Sequence, residues 1–235
     1  MTARLAKRLA ACRTATYSEY FHLLTSGDAP LELQMAVDLL TTNETYFFRE
    51  SKHFDFLQRQ VRAAAPGPGS FRVWSAAASS GEEAYSIAMV LEDHLPGRWE
   101  VVGSDISARV LERARHGRYK MERISYIPQD YLRRFCLKGV DGAAGTLLIE
   151  PYLRSKVQFQ QINLNAPLPK LGAFDVIFLR NVMIYFNVET KRRVVERILA
   201  VLKPGGYLLV GHSETLASIS SAVTLVAPAT YRKNP

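Results

Sequence analysis

The chain has 235 residues, 48% hydrophobic and 22% charged, a balance that supplies a sizeable core and excludes the fibrous and disordered classes. Two cysteines, Cys12 and Cys136, exclude a disulfide framework and a four-ligand structural zinc, and no apolar run approaches the ~18 residues that span a bilayer. The net charge of +8 admits nucleic acid, an acidic membrane or an acidic protein as partner without choosing among them.

Residues 1–62 read as helical, because Leu5 and Leu9, and later Tyr20, Phe21, Leu23 and Leu24, recur at helical spacings with no strand-like alternation. Arg4, Lys7, Arg8 and Arg13 crowd the start without an acid. The first three fall at i, i+3 and i+4 and share a face beside the Leu5 and Leu9 stripe. These charges also interrupt the apolar segment that an export signal ending at Cys12 would need, so a reducing cytoplasmic location is expected. Ser26-Gly27-Asp28 with Pro30 ends the first helical run, a second helix is expected over about 31–40, and a third pattern passes through Phe54, Leu57 and Val61. The run AAAPGPGS from Ala63 to Ser70 cannot continue a helix and marks a linker over 63–70.

Beyond it, short β-rich runs alternate with amphipathic helices. Strands are expected at Phe71–Trp74, Glu100–Gly103 ending at Asp105, Val157–Gln161, Phe174–Leu179 and Tyr207–Val210, with helices at Glu82–Asp93, Ala108–Arg115 and Glu189–Leu202. Residues 71–235 therefore predict an α/β domain, a doubly wound parallel sheet with its ligand crevice at the carboxyl ends of the strands. The stretch 135–156 departs from this texture: Gly139, Gly142 and Gly145 oppose helix and predict a small antiparallel insertion.

The turn after the first strand is rich in small residues, Ser75 to Gly81, and runs into Glu82 and Glu83 without a GxGxxG phosphate cradle. Two acids at the helix start repel a phosphate and suit a zwitterionic or cationic ligand; equally, Ser79 or Ser80 reads as a plain N-cap. Asp105 ends the second strand 22 residues past Glu83, where a carboxylate meets the hydroxyls of a ribose or else caps the next helix. Phe174–Leu179 delivers Arg180 and Asn181 to the same edge. There is no GxSxG elbow, and the five histidines are scattered and read as surface or packing residues. This layout, with Pro204-Gly205-Gly206 before a further strand, is typical of AdoMet-dependent methyltransferases.

Five strings in order, TTNETYFFRES (Thr41–Ser51), RVWSAAASSGEEAYSIAM (Arg72–Met89), GSDIS (Gly103–Ser107), FDVIFLRNVMIYF (Phe174–Phe186) and LKPGGYLLVGHSE (Leu202–Glu214), resemble the CheR-type chemotaxis receptor methyltransferases over nearly the whole chain. The resemblance implies a helical receptor-recognition domain, an AdoMet-binding domain and an inserted β-subdomain late in the sheet. It implies methyl transfer from S-adenosyl-L-methionine to receptor glutamates, leaving S-adenosyl-L-homocysteine, with no metal. By motif it implies cofactor contacts from Asn43, Thr45, Arg49, Glu83, Asp105, Asn163, Leu164, Arg180 and Asn181, with Tyr185 near the transferred methyl and Arg49 in positioning. Arg4, Lys7, Arg8 and Arg13 become the expected receptor-docking residues, and Phe47-Phe48 core packing. Members usually carry further residues ahead of the basic helix, so either a truncated piece or a shortened N-terminus is expected. Some bind a tethering peptide at the receptor C-terminus through glycine-rich loops, which here are differently spaced. The rival readings are a methyltransferase acting on a small molecule or nucleic acid, although no aromatics interleave the basic stripe for base stacking, and a non-catalytic AdoMet-binding regulatory domain.

Overall fold

The computed structural model describes residues 2–63 and 69–235, so most of the linker expected over 63–70 lies outside the described residues. Three helices open the chain: α1 (Thr2–Ala11), α2 (Tyr17–Thr25) and α3 (Pro30–Leu40). Thr16 caps α2 by accepting the Glu19 N–H, and Pro30 opens α3 where a missing donor costs nothing. Leu5, Tyr20 and Ala36 form their small core. The fourth helix, α4 (Lys52–Ala63), does not share it: Phe54, Phe56, Leu57 and Val61 pack instead into the core of the sheet, beside Ile87 and Leu91 of α5 (Glu82–His94). The expected helical unit of 1–62 thus divides by packing, because the apolar face of α4 is wide and aromatic enough to cover a sheet layer.

Seven strands, β1 (Phe71–Ser75), β2 (Trp99–Asp105), β6 (Val157–Gln161), β7 (Phe174–Leu179), β8 (Leu202–Val210), β9 (Val223–Ala227) and β10 (Thr230–Lys233), form the main sheet in the order β6-β2-β1-β7-β8-β10-β9. The first five are mutually parallel, and β10 is antiparallel to both β8 and β9. Neighbouring residues of each central strand enter opposite cores. Val73, Val101 and Val176 join one that includes α4 and α5, while Trp74, Val102 and Ile177 join one that includes Val194, Val195 and Ile198 of α9 (Val188–Ala200). Burial on both faces explains why these strands read as unbroken apolar runs.

The fold is the expected mixed α/β architecture, with three differences. The second sheet is three-stranded and antiparallel, β3 (Arg118–Lys120), β5 (Thr146–Ile149) and β4 (Cys136–Lys138) in that order, and it starts directly after α6 (Ala108–His116), not at 135. Its first strand, Arg-Tyr-Lys, is too short to show alternation. Residues 151–155, expected within the insertion, form helix α8 (Pro151–Ser155), which leads into β6. The insertion thus precedes the outermost parallel strand in sequence instead of lying late in the sheet. Finally, Pro204-Gly205-Gly206 lies inside β8 as an irregularity, with Gly205 at φ +72, where a turn before the strand was expected. No helix among the described residues is long and apolar enough to cross a membrane.

Candidate active site

A cavity of about 450 Å³ opens at the carboxyl ends of β1, β2, β6 and β7 and is closed on its outer side by α3 and the segment 41–49. The helical bundle is fastened there by polar contacts. Arg109 donates to the Asp38 carbonyl at 2.6 Å and Gln34 to the Ile106 carbonyl at 3.2 Å, while Phe47 and Phe48 are buried in the sheet core, as expected of packing residues. Asn43, Thr45, Arg49, Glu83, Asp105, Asn163, Leu164, Arg180, Asn181 and Tyr185 all line the cavity. Their positions span 143 residues of chain, from Asn43 to Tyr185, and the fold gathers them around one space.

The turn after β1 explains the small residues. The Ala76 and Ala78 amides donate to the carbonyls of Phe178 and Ser104, which keeps the backbone tight against both neighbouring strands. Gly81, at φ +95, is the N-cap of α5, and a Cβ there would stand 2.8 Å from the Ala114 Cβ. Neither Ser79 nor Ser80 caps the helix. Ser79 instead gives its amide to Asp105 Oδ2 (3.0 Å) and its hydroxyl to the Asn43 carbonyl (3.2 Å), joining the turn, the second strand and the helical segment. Asp105 Oδ1 accepts the Ser107 amide at 2.9 Å. Each carboxylate oxygen retains a second lone pair, so a ligand diol can still be received. Burial pushes the Asp105 carboxyl up against the pull of these N–H groups.

Glu83 and Arg180 form the floor. Arg180, 4% exposed, donates to Glu83 Oε2 at 2.8 Å and to the Arg49 carbonyl at 2.6 Å, and its Nη2 lies 3.0 Å from Glu50 Oε2. One guanidinium thereby pairs with two carboxylates, by hydrogen bond with Glu83 and by charge alone with Glu50, and ties the sheet to the segment carrying Arg49. Burial pushes Glu83 up, opposed by Arg180 and by the Ser75 hydroxyl at 2.6 Å. Burial would also raise Glu50, but Arg180 overcomes it and holds that carboxyl low. Arg49 itself donates to the Glu44 carbonyl at 2.9 Å and lies over the Tyr46 ring, leaving its side chain at the cavity. Tyr185, 61% exposed, stands at the rim.

Four residues other than glycine, Phe48, Glu50, Ser79 and Asn181, hold φ between +50 and +58 around this space. Such conformations cost free energy and concentrate where a fold presents groups to a ligand. Glu214 holds the Asn181 bend by accepting the amides of Asn181 and Met183 at 2.8 Å each. Sequence reasoning placed neither Glu50 nor Glu214 at the site and read Ser79 only as a helix cap, although all three sit inside strings that carried the resemblance. It also left apart His53 and His212, whose rings stand 5.1 Å apart beside Glu50. Glu50, His53 and His212 offer donor atoms within 4.8 Å of one another, but Arg180 already engages Glu50 Oε2, so a cation there competes with a buried guanidinium.

Of the expected docking residues, Arg4, Lys7 and Arg13 are exposed. Arg8 is turned inward to Glu32 of α3, which also accepts the Tyr20 hydroxyl at 2.6 Å, and Arg4 reaches the carbonyls of Leu39, Leu40 and Thr41. The four are not one free basic face, because Glu32, distant in sequence, claims Arg8.

The family profile described as "CheR methyltransferase, SAM binding domain" matches residues 43–231. The chemotaxis protein methyltransferase of Escherichia coli (strain K12) is 41% identical over 232 residues, covering 97% of this chain and 80% of that protein. Chemotaxis protein methyltransferase 2 of Pseudomonas aeruginosa is 42% identical over 233 residues, covering 97% and 82%. The match begins at Asn43, the first of the motif residues at the cavity, and with these identities the chain belongs to the CheR methyltransferase family.

Proposed function

We propose that the protein transfers a methyl group from S-adenosyl-L-methionine to glutamate carboxylates of chemotaxis receptors, giving glutamyl methyl esters, and that the cavity is the site of transfer. The observation that supports it most is the Glu83–Arg180–Glu50 cluster, which joins the sheet to the segment bearing Arg49 in a chain of this family. The cavity suits the cofactor chemically. Asp105 offers a carboxylate to ribose hydroxyls, Asn163, Leu164 and Ile106 line the cavity for the base, and Asn43, Arg49, Glu83, Arg180 and Asn181 supply the charged and amide groups for the zwitterionic tail.

When bound, AdoMet supplies an electrophilic methyl group on a sulfonium. The receptor glutamate, with an ordinary pKa near ~4.3, is already ionised at neutral pH, so the chain needs no general base. Its residues act by orientation and by exclusion of water, since a carboxylate and a cation neutralise each other in the transition state and hydration of both opposes transfer. α3 and the segment 41–49 supply the cover, and Tyr185 stands where the substrate side chain enters. Arg49 works best as a positioning group on one oxygen, because a tight bidentate clamp would stabilise the charged ground state more than the near-neutral transition state.

The receptor approaches over Lys7 and Arg13, and the reaction belongs in the cytoplasm, without membrane insertion and without nucleic acid. Incubation with methyl-labelled AdoMet and cytoplasmic receptor fragments should give base-labile label on the receptor. Label that resists base, or that appears on RNA instead, overturns the proposal.

A further inference from the structure

The inserted sheet touches the turn after β1 from behind the cavity. Tyr119, the middle residue of β3 and 6% exposed, donates its hydroxyl to the Ser80 carbonyl at 2.8 Å. Arg123, in the short helical turn that follows, donates to Glu82 Oε1 at 2.9 Å, and Glu82 Oε2 accepts the Ser80 hydroxyl at 2.7 Å. Glu82 is fully buried, whereas the Arg123 side chain is 50% exposed. Burial pushes the Glu82 carboxyl up, and the Ser80 hydroxyl and Arg123 oppose it. The charged or titratable groups facing Glu82 from the insertion are Arg123 and Tyr119. The insertion also braces the opposite wall, with the Phe47 and Tyr119 rings edge to face at 4.9 Å and the Tyr46 ring 4.8 Å from that of Tyr126, in the connection between β3 and β4.

Neither Tyr119 nor Arg123 lines the cavity. Between them they hold Ser80 and Glu82, which lie inside the segment bounded by Ser79, the donor to Asp105, and Glu83, the partner of Arg180. A shift of the turn therefore disturbs both carboxylates that face the ligand, moving Glu83 and withdrawing the Ser79 amide from Asp105. We infer that the inserted sheet is part of the cofactor-binding machinery, with Tyr119 and Arg123 as positioning residues that lock the Ser79–Glu83 turn in its ligand-binding conformation. This rests on the reading of the cavity as the AdoMet site.

The test is calorimetric titration of the full chain with S-adenosyl-L-homocysteine from pH 6 to 9, with thermal unfolding measured in parallel. Tyr119→Phe leaves the Ser80 carbonyl without its donor and should weaken binding about fivefold, and Arg123→Ala about tenfold. With Arg123 gone, the buried Glu82 carboxylate has lost its cation and its charged form is the costly one, so affinity in Arg123→Ala should fall as pH rises and Glu82 ionises, more steeply than in the wild type. Arg123→Lys should restore part of the affinity. The double variant Glu82→Gln with Arg123→Ala, whose neutral amide still receives the Ser80 hydroxyl, should recover most of it without the pH slope. If Arg123→Ala does not fold, Tyr119→Phe and Arg123→Lys carry the test by their affinities. Wild-type affinity and pH profile in these variants, with only the unfolding temperature lowered, overturns the inference. Failure of the wild type to bind, or unchanged affinity in Asp105→Asn, overturns the assignment of the cavity instead.

Discussion

Asp105 offers the sharpest test of the cavity, provided the substitution is chosen from its hydrogen bonds. Its two oxygens accept the amides of Ser79 and Ser107 at 3.0 and 2.9 Å in a setting 9% exposed. Asp105→Ala would orphan both donors, costing about 2–4 kcal/mol of stability, and would confuse loss of fold with loss of ligand. Asp105→Asn keeps one acceptor oxygen and the side-chain volume. It also removes a carboxylate that burial disfavours, so the stability change should stay within about 1–2 kcal/mol. Its NH₂ group cannot accept from a ribose hydroxyl, and the loss of a hydrogen bond to a charged group is worth about 1.5–3 kcal/mol, or roughly 10- to 150-fold in affinity. Calorimetry with S-adenosyl-L-homocysteine reads this directly, with circular dichroism to confirm that the variant is folded. A folded Asp105→Asn protein that binds with wild-type affinity would refute the ribose assignment.

How far this site was legible depended on whether position along a strand or meeting across the fold created it. Asp105, Arg180 and Asn181 follow strands whose apolar runs are unbroken because both faces are buried, and a strand of a parallel sheet delivers the next residues to the crevice edge. Glu83 was legible by the same logic as the start of a helix. Glu50, His53, His212 and Glu214 were not, since their proximity arises from tertiary contacts between segments more than 150 residues apart, as in the Glu50–His212 contact. Arg8 was misread for the converse reason: helical spacing placed it with Arg4 and Lys7, and only the docking of α3 reveals Glu32 as its partner. The β9–β10 hairpin escaped because Val223–Ala227 is largely exposed and carries no buried alternation. β3 escaped because three residues become a strand only through their pairing with β5.

Arg49→Ala should lower kcat/KM with the unfolding temperature nearly unchanged, and Arg49→Lys should restore it only in part because the planar fork is lost; full activity in both would remove Arg49 from positioning. His53, 2% exposed, has its pKa lowered to about 4, first by burial and then by Arg180, so below its ordinary pKa near ~6.5 the unfolded chain takes up the proton and stability falls with pH. Between pH 7 and 5 this should cost the wild type about 2 kcal/mol more than His53→Gln, measured by urea unfolding; parallel losses would show that folding does not lower the His53 pKa. The last prediction concerns receptor docking, and the structure decides which basic residues can report it. Arg8→Glu would set a second carboxylate against Glu32, which the Arg8 guanidinium now holds at a pKa of about 2, so a changed KM there would reflect a disturbed helical bundle. Lys7 and Arg13 are exposed, and Lys7→Glu with Arg13→Glu leaves the Arg8–Glu32 pair and the cavity untouched. If these charges steer an acidic receptor surface, the double reversal should raise the receptor KM severalfold at low salt and flatten its salt dependence, with cofactor affinity retained. Screening makes low ionic strength the decisive condition, because the attraction between exposed charges fades within about 10 Å at 0.1 M salt. A double-reversal protein with the wild-type KM under those conditions places receptor recognition on another surface.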